Sequence, residues 1–135
     1  LVKDLKFIEK LNPEMCGIGP FVPHKDTKFK NENHGDVSLV LMLLSIIRLL
    51  KPNILLPATT ALGTVDPLGR EKGILHGANV VMPNLSPVKH RKDYSLYDNK
   101  ICTGDEAAQC IGCLADRMKK IGCEIVTDRG DYTEE

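Results

Sequence analysis

The cysteines have the widest chemical reach of any residues in this sequence, and three of the five fall close together. Cys110 and Cys113 are spaced i, i+3, so one helical turn brings both thiols to one side, and a preceding loop can bring Cys102 to the same point. Three thiolates could hold an iron–sulfur cluster with one ligand position left open. The same residues could equally be partly buried thiols that fill a core, and spacing alone leaves both readings standing. Cys16 and Cys123 lie apart and read as core fillers. Residues 1–11 carry Asp4 and Glu9 on a helical pattern and do not read as an export signal. With an odd cysteine count, this points to thiols or metal ligands in a cytoplasmic protein, not to a disulfide framework. His24, His34, His76 and His90 are not at metal-ligand spacing and are expected on solvated positions. Lys89 to Asp93 reads as a solvated face.

A second set of candidates lies where short apolar runs give way to glycine and proline: GIGPFVPH at 17–24, PATTALG at 57–63 and MPNLS at 82–86. In parallel α/β architectures, functional groups gather where strands end. Glycine lets the backbone approach a ligand there, and proline stiffens the loop. Thr59 and Thr60 offer two adjacent hydroxyls suited to a carboxylate or other anion. They could also cap a strand end through backbone hydrogen bonds. Met15 and Met82 are core residues by type.

The elements that must position these residues follow from periodicity. Val2, Leu5, Ile8 and Leu11 predict an amphipathic helix over 2–11, stopped by Pro13. Asp36 is the expected N-cap of a helix over 37–50 whose apolar positions wrap more than one face. Asp66 and Pro67 predict the start of a third helix that ends near Gly77. A last helix is expected from about Glu106 to Ile121, with an edge strand at Cys123–Val126. Between the first three helices stand continuous apolar runs at 15–23, 53–58 and 78–83, read as strands covered on both faces. Helix and strand therefore alternate, which predicts an α/β fold with right-handed parallel crossovers. Three strands do not close a barrel, which takes about eight.

The 135 residues carry 18 basic and 18 acidic side chains, interspersed, for a net charge of zero. No nucleic-acid or membrane-surface partner is expected from charge. With no tryptophan, the core must come from Leu, Ile, Val and Met. The longest apolar run, 37–50, is broken by Ser45 and Arg48 and is shorter than the roughly 20 residues a membrane span needs.

The three strand endings, taken in order, resemble the radical-SAM maturases of FeFe hydrogenase (HydE-type), a branch of the biotin synthase-like group. The matching stretches are GIGPFVPH at 17–24, LLPATTALGT at 55–64, GREKGILHGANVVMPNLSP at 69–87 and ICTGDEAAQCIGC at 101–113. Together they cover nearly the whole chain. The resemblance implies a partial TIM (β/α) barrel, with residues 1–100 as the C-terminal part of the barrel. Residues 101–135 would be a cysteine-bearing cap of the biotin/thiamin-synthesis-associated type.

Roles carried over by motif place Met15, Pro20 and Phe21 around the adenosine of S-adenosylmethionine, with Met82 and Asn84 facing the adenine from the other side. Thr59 and Thr60 would line the cavity for a small anionic substrate, and Tyr94 would close it. His24 and Arg70 match the motifs without an assigned role. Cys102, Cys110 and Cys113 would bind an auxiliary iron–sulfur cluster of the kind that some family members hold. The family's CxxxCxxC motif, which binds the 4Fe-4S cluster that cleaves S-adenosylmethionine, does not occur in this sequence. The expectation is a fragment that is catalytically silent alone, needs the N-terminal half of the barrel as its partner and self-associates without it. The cluster-binding cysteines and arginine of biotin synthase are not recognisable, so biotin formation is not expected. A non-catalytic iron–sulfur or scaffold module docking on a partner chain is the alternative.

Overall fold

The longest apolar run becomes the helix around which the rest is arranged. The computed structural model describes residues 1–102, 107–126 and 128–133, with the side chains of 92 and 107–109 left out. In it, α2 spans Val37–Leu50. Asp36 caps it as expected, its carboxylate accepting from the Ser38 N–H at 2.8 Å. Val40, Leu41, Leu44 and Ile47 recur every three or four residues and are buried. The first helix, α1 (Val2–Leu11), also stands where expected and ends on Asn12 in the left-handed conformation. Leu5 and Ile8 lean on the core, while Val2, Phe7 and Leu11 stay exposed.

The three apolar runs do not grow into strands. Among the described residues they meet at isolated parallel bridges, Met15 with Leu55 and Pro57 with Val80. Backbone bonds flank each bridge: Cys16 N–H to the Leu55 carbonyl at 3.0 Å, Leu55 N–H to Glu14 at 2.9 Å, and Ala58 N–H to Val80 at 2.9 Å. Side chains and prolines limit the pairing to these points. Pro57 has no N–H to donate. The Leu56 N–H is held by the Asn79 side-chain oxygen at 2.8 Å. Burial is deepest in the middle run, where Ile54, Leu56 and Ala58 on one face are buried and, on the other, Pro57 is buried and Leu55 half-buried. Met15 and Met82, in the outer runs, are about half exposed.

The helix expected from Asp66 to Gly77 forms as α4 (Gly69–Leu75), and a short helix that was not foreseen, α3 (Thr60–Val65), precedes it. Thr59 is the N-cap of α3, its hydroxyl accepting from the Leu62 N–H at 3.4 Å. Asp66 does not cap α4. It accepts from the Leu68 N–H at 2.9 Å and pairs with Lys72, making the turn between the two helices. The α4 helix lies close against α2 and the middle run: a Cβ at Gly73 would sit 3.2 Å from the Ala58 Cβ and 3.8 Å from Leu44. Leu62 and Ala78 complete the core formed by α2 and the middle run.

Beyond residue 81 the described residues are irregular, apart from a 3-10 helix at Val88–Tyr94 and α5 at Ala107–Lys120. Glu106, the expected first residue of α5, lies outside the described residues. Gly122, with φ +76°, and Cys123 close the helix by bonding back to Lys119 and Met118. The expected edge strand at Cys123–Val126 does not form, and that stretch is irregular. No helix among the described residues is long and apolar enough to cross a membrane.

Candidate functional site

Two charged residues at the start of α4 organise the region that holds most of the candidate residues. Arg70 is 3% exposed and Glu71 7%. The Arg70 Nη2 donates to the Thr60 hydroxyl at 3.3 Å and to the Cys102 sulfur at 3.8 Å. Its Nε is buried without a hydrogen-bond partner among the described residues. Glu71 takes a two-pronged bond from Arg117 of α5, each contact at 2.6 Å, and Arg117 also donates to the Pro67 carbonyl. Burial pushes the Glu71 pKa up, but the Arg117 bonds and the charges of Arg117 and Arg70 outweigh it and hold the carboxyl below its usual range. The same pairing raises Arg117.

Cys102 sits beside this group in the left-handed region, with φ +62°. Its carbonyl accepts from the Asn84 side chain at 3.0 Å and from Arg91 Nη1 at 3.4 Å. Arg91 is 3% exposed and also donates to the carbonyls of Ser86 and Asn84, at 2.8 and 3.1 Å. The Asn84 backbone N–H donates to the Cys110 sulfur at 3.4 Å, so Asn84 touches both cysteines. Burial, reinforced by Cys110, raises the Cys102 thiol against the opposing pull of Arg70. Burial alone raises Cys16, which packs against the core.

The structure therefore brings together Thr60, Asn84, Cys102 and Cys110, with Arg70 and Arg91 as the links. Cys113 is exposed, and no group of three His, Cys, Asp or Glu that could hold a metal ion occurs among the described residues. At the start of α5 Cys110 is buried and Cys113 exposed, while Cys102 lies beside Arg70 and Asn84.

Of the residues carried over by resemblance, Pro20 is buried, while Met15, Phe21 and Met82 are 48%, 47% and 51% exposed. Phe21 packs edge-on against Phe29 with ring centroids 6.0 Å apart. Thr59 caps α3 and lies against the Gly19 backbone. Tyr94 is 61% exposed. The half-buried tyrosine is Tyr97, whose pKa burial pushes up. His34, His76 and His90 are exposed, as expected of solvated positions, and His24 is half-buried. A groove of about 600 Å³ along the end of α5, lined in part by Asp116, Lys119 and Glu124, holds none of the candidates.

Sequence reasoning missed the two arginines. Arg91 lies in a run read as solvated, and nothing in its neighbours marks it as buried. Arg70 carried a signal. It stands with an acid between Gly69 and Gly73, and glycines one turn apart mean close packing, so the charges between them have to go inside together.

No protein-family model matches the chain. Over 130 residues it is 44% identical to the FeFe hydrogenase maturase subunit HydE of Thermotoga maritima, an alignment that takes in 96% of the chain. The chain resembles HydE. It spans 37% of the length of that relative. The likeness to HydE therefore embraces the α3–α4 region, the cysteine pair and the arginines that join them, and leaves most of HydE without a counterpart here.

Proposed function

We propose that this chain is the C-terminal part of a radical-SAM enzyme of hydrogenase maturation, and that it supplies part of the wall of the cavity for S-adenosylmethionine and substrate. The 44% identity with HydE over nearly the whole chain carries this reading. In such an enzyme S-adenosylmethionine, bound at a 4Fe-4S cluster, supplies the 5′-deoxyadenosyl radical, and the protein orients substrate and excludes water. This sequence has no CxxxCxxC to hold that cluster, so the contribution of the chain is binding and orientation.

The three runs joined by parallel bridges are the last strands of the proposed TIM barrel, in the order 15, 55, 80 across the chain. Met15, Phe21 and Met82 are half-exposed apolar side chains near the ends of the outer runs, suited to a purine face. Thr59 and Thr60 are the hydroxyls nearest the end of the middle run, and they would meet the anionic group of a small substrate. The rest of the barrel would cover the apolar residues left open, and the chain by itself would associate with further copies.

A chimaera tests this directly. In it, the aligned segment of the Thermotoga maritima protein is replaced by this chain, and the product is reconstituted anaerobically with iron and sulfide. The expected result is S-adenosylmethionine binding and 5′-deoxyadenosine formation, while this chain alone yields none. Changing Thr59 and Thr60 to Val in the chimaera should weaken the response to substrate and leave iron content intact. A chimaera that folds and loads iron but does not bind S-adenosylmethionine overturns the proposal.

A further inference from the structure

We propose that Arg70 is the residue that makes the Thr59–Thr60 wall select an anionic substrate, acting through the Thr60 hydroxyl and through its own charge. The inference deepens the reading of Thr60 given above and rests on it. Arg70 is 3% exposed, and its Nη2 donates to the Thr60 hydroxyl at 3.3 Å. A guanidinium has no acceptor, so this bond fills a lone pair of the hydroxyl and leaves the Thr60 proton to be given elsewhere. The Thr59 hydroxyl is set in the same way, accepting from the Leu62 N–H at 3.4 Å. Among the described residues neither hydroxyl meets an acceptor for its proton. Two hydroxyls committed to donating suit a group that only accepts, as a carboxylate does.

Charge adds a preference that these hydroxyls alone would not give. Arg70, Glu71 and Arg117 set one carboxylate against two guanidinium groups, and Glu71 gives both of its oxygens to Arg117 at 2.6 Å. Among the described residues no carboxylate forms an ion pair with Arg70, and its Nε has no hydrogen-bond partner. Its Nη2 also meets the Cys102 sulfur at 3.8 Å. A buried cation without a counter-ion of its own is stabilised by an anion that comes near it. Gly63 lets Arg70 reach this position: a Cβ there would lie 3.3 Å from the Arg70 Cγ and 3.4 Å from its Nε. Arg70 is thus a positioning residue that orients Thr60 and supplies the sign of the charge behind it. Without it the threonines would still donate, but they would take a neutral amide oxygen as readily as a carboxylate.

The chimaera described above, loaded with iron and S-adenosylmethionine, tests this with acetate and acetamide, which share a shape and differ in charge. Binding is read by saturation transfer to the methyl protons of each probe in NMR. The parent chimaera should bind acetate about tenfold more tightly than acetamide. Arg70→Gln, which keeps a donor but no charge, should bring acetate down to the level of acetamide. Its acetamide and S-adenosylmethionine binding should stay as in the parent. Arg70→Lys should keep most of the preference, because charge carries it. Weakening of both probes and of S-adenosylmethionine alike in Arg70→Gln would make Arg70 a structural residue and overturn the proposal. So would a preference that survives in Arg70→Gln, or one that disappears in an Arg70→Lys chimaera that still binds S-adenosylmethionine. A parent that binds S-adenosylmethionine without preferring acetate overturns this inference and leaves the cofactor part of the enzymatic reading standing. A parent that binds no S-adenosylmethionine overturns that reading, and this inference falls with it.

Discussion

Two regions of this molecule reach order by different physics. Residues 36–81 are held by apolar burial: α2 and the middle run supply Leu44, Ile47, Ile54 and Leu56, each 2% exposed or less, and α4 closes over them at Gly73. The described residues of 84–120 bury little besides Arg91, Cys110, Leu114 and Met118, and are joined to the first region by the buried guanidinium of Arg70 and the half-buried one of Arg117. Arg70 reaches from α4 to Cys102, Arg117 reaches from α5 to Glu71, and Arg91 gathers three carbonyls. Hydrophobic contact tolerates small shifts, whereas these bonds are directional. The candidate residues that come together do so in the second manner, which suits a site that needs fixed geometry more than bulk stability.

The sharpest break in the comparison comes from the apolar side. Leu44 is fully buried, and Leu44→Ala should cost about 4 kcal/mol through lost burial and the cavity left behind. Urea unfolding followed by circular dichroism would read this as a loss of the whole structure, because both regions rest on α2. A loss below about 1 kcal/mol would mean that the core around Leu44 is not packed as described.

The joint between the regions comes next. Glu71→Gln removes the carboxylate from between Arg117 and Arg70 and should cost about 3 kcal/mol, since two cations then lack their counter-ion. The sign of the pH dependence follows from the depressed pKa of Glu71. The unfolded carboxyl, with a pKa of about 4.3, binds its proton before the folded one does. The stabilisation is therefore fully present above that value and is lost as pH falls through the lower, folded value. Unfolding midpoints measured from neutral pH downward should decline in the native chain, and decline less steeply in Glu71→Gln. Equal slopes would sever Glu71 from the acid sensitivity of the fold.

The same contrast explains what the sequence made legible. Helices α1 and α2 stand at the boundaries that periodicity and the Asp36 cap indicated, because burying an apolar stripe is a local decision. The parallel order of the three runs could also be read, but their shortness could not. It depends on the Asn79 side chain reaching the Leu56 N–H, a contact between residues 23 apart. Thr59 drew attention as a possible ligand hydroxyl, and the short helix α3 that it caps went unforeseen. At the cysteines, i, i+3 spacing suggested that Cys110 and Cys113 would share a side. Packing buries Cys110, whose sulfur meets the Asn84 N–H, and leaves Cys113 exposed. Spacing along a helix fixes which residues can meet, while the packing of the helix decides which do.

The finest test separates the second region from the first. Arg91→Lys keeps the positive charge but replaces a planar fork by a single ammonium, which cannot reach the carbonyls of Ser86, Asn84 and Cys102 together. The global cost should be small, about 1 kcal/mol, because each lost bond is partly replaced by water. The local effect should be larger than the global one. Asn84 and the Cys102 loop would lose their common anchor, so amide hydrogen exchange should accelerate across 84–102 while the amides of α2 keep their protection. Cys102 should also react faster with an alkylating reagent. Exchange that quickens equally in α2 would mean that Arg91 supports the whole fold, and the division into two regions of different physics would not hold.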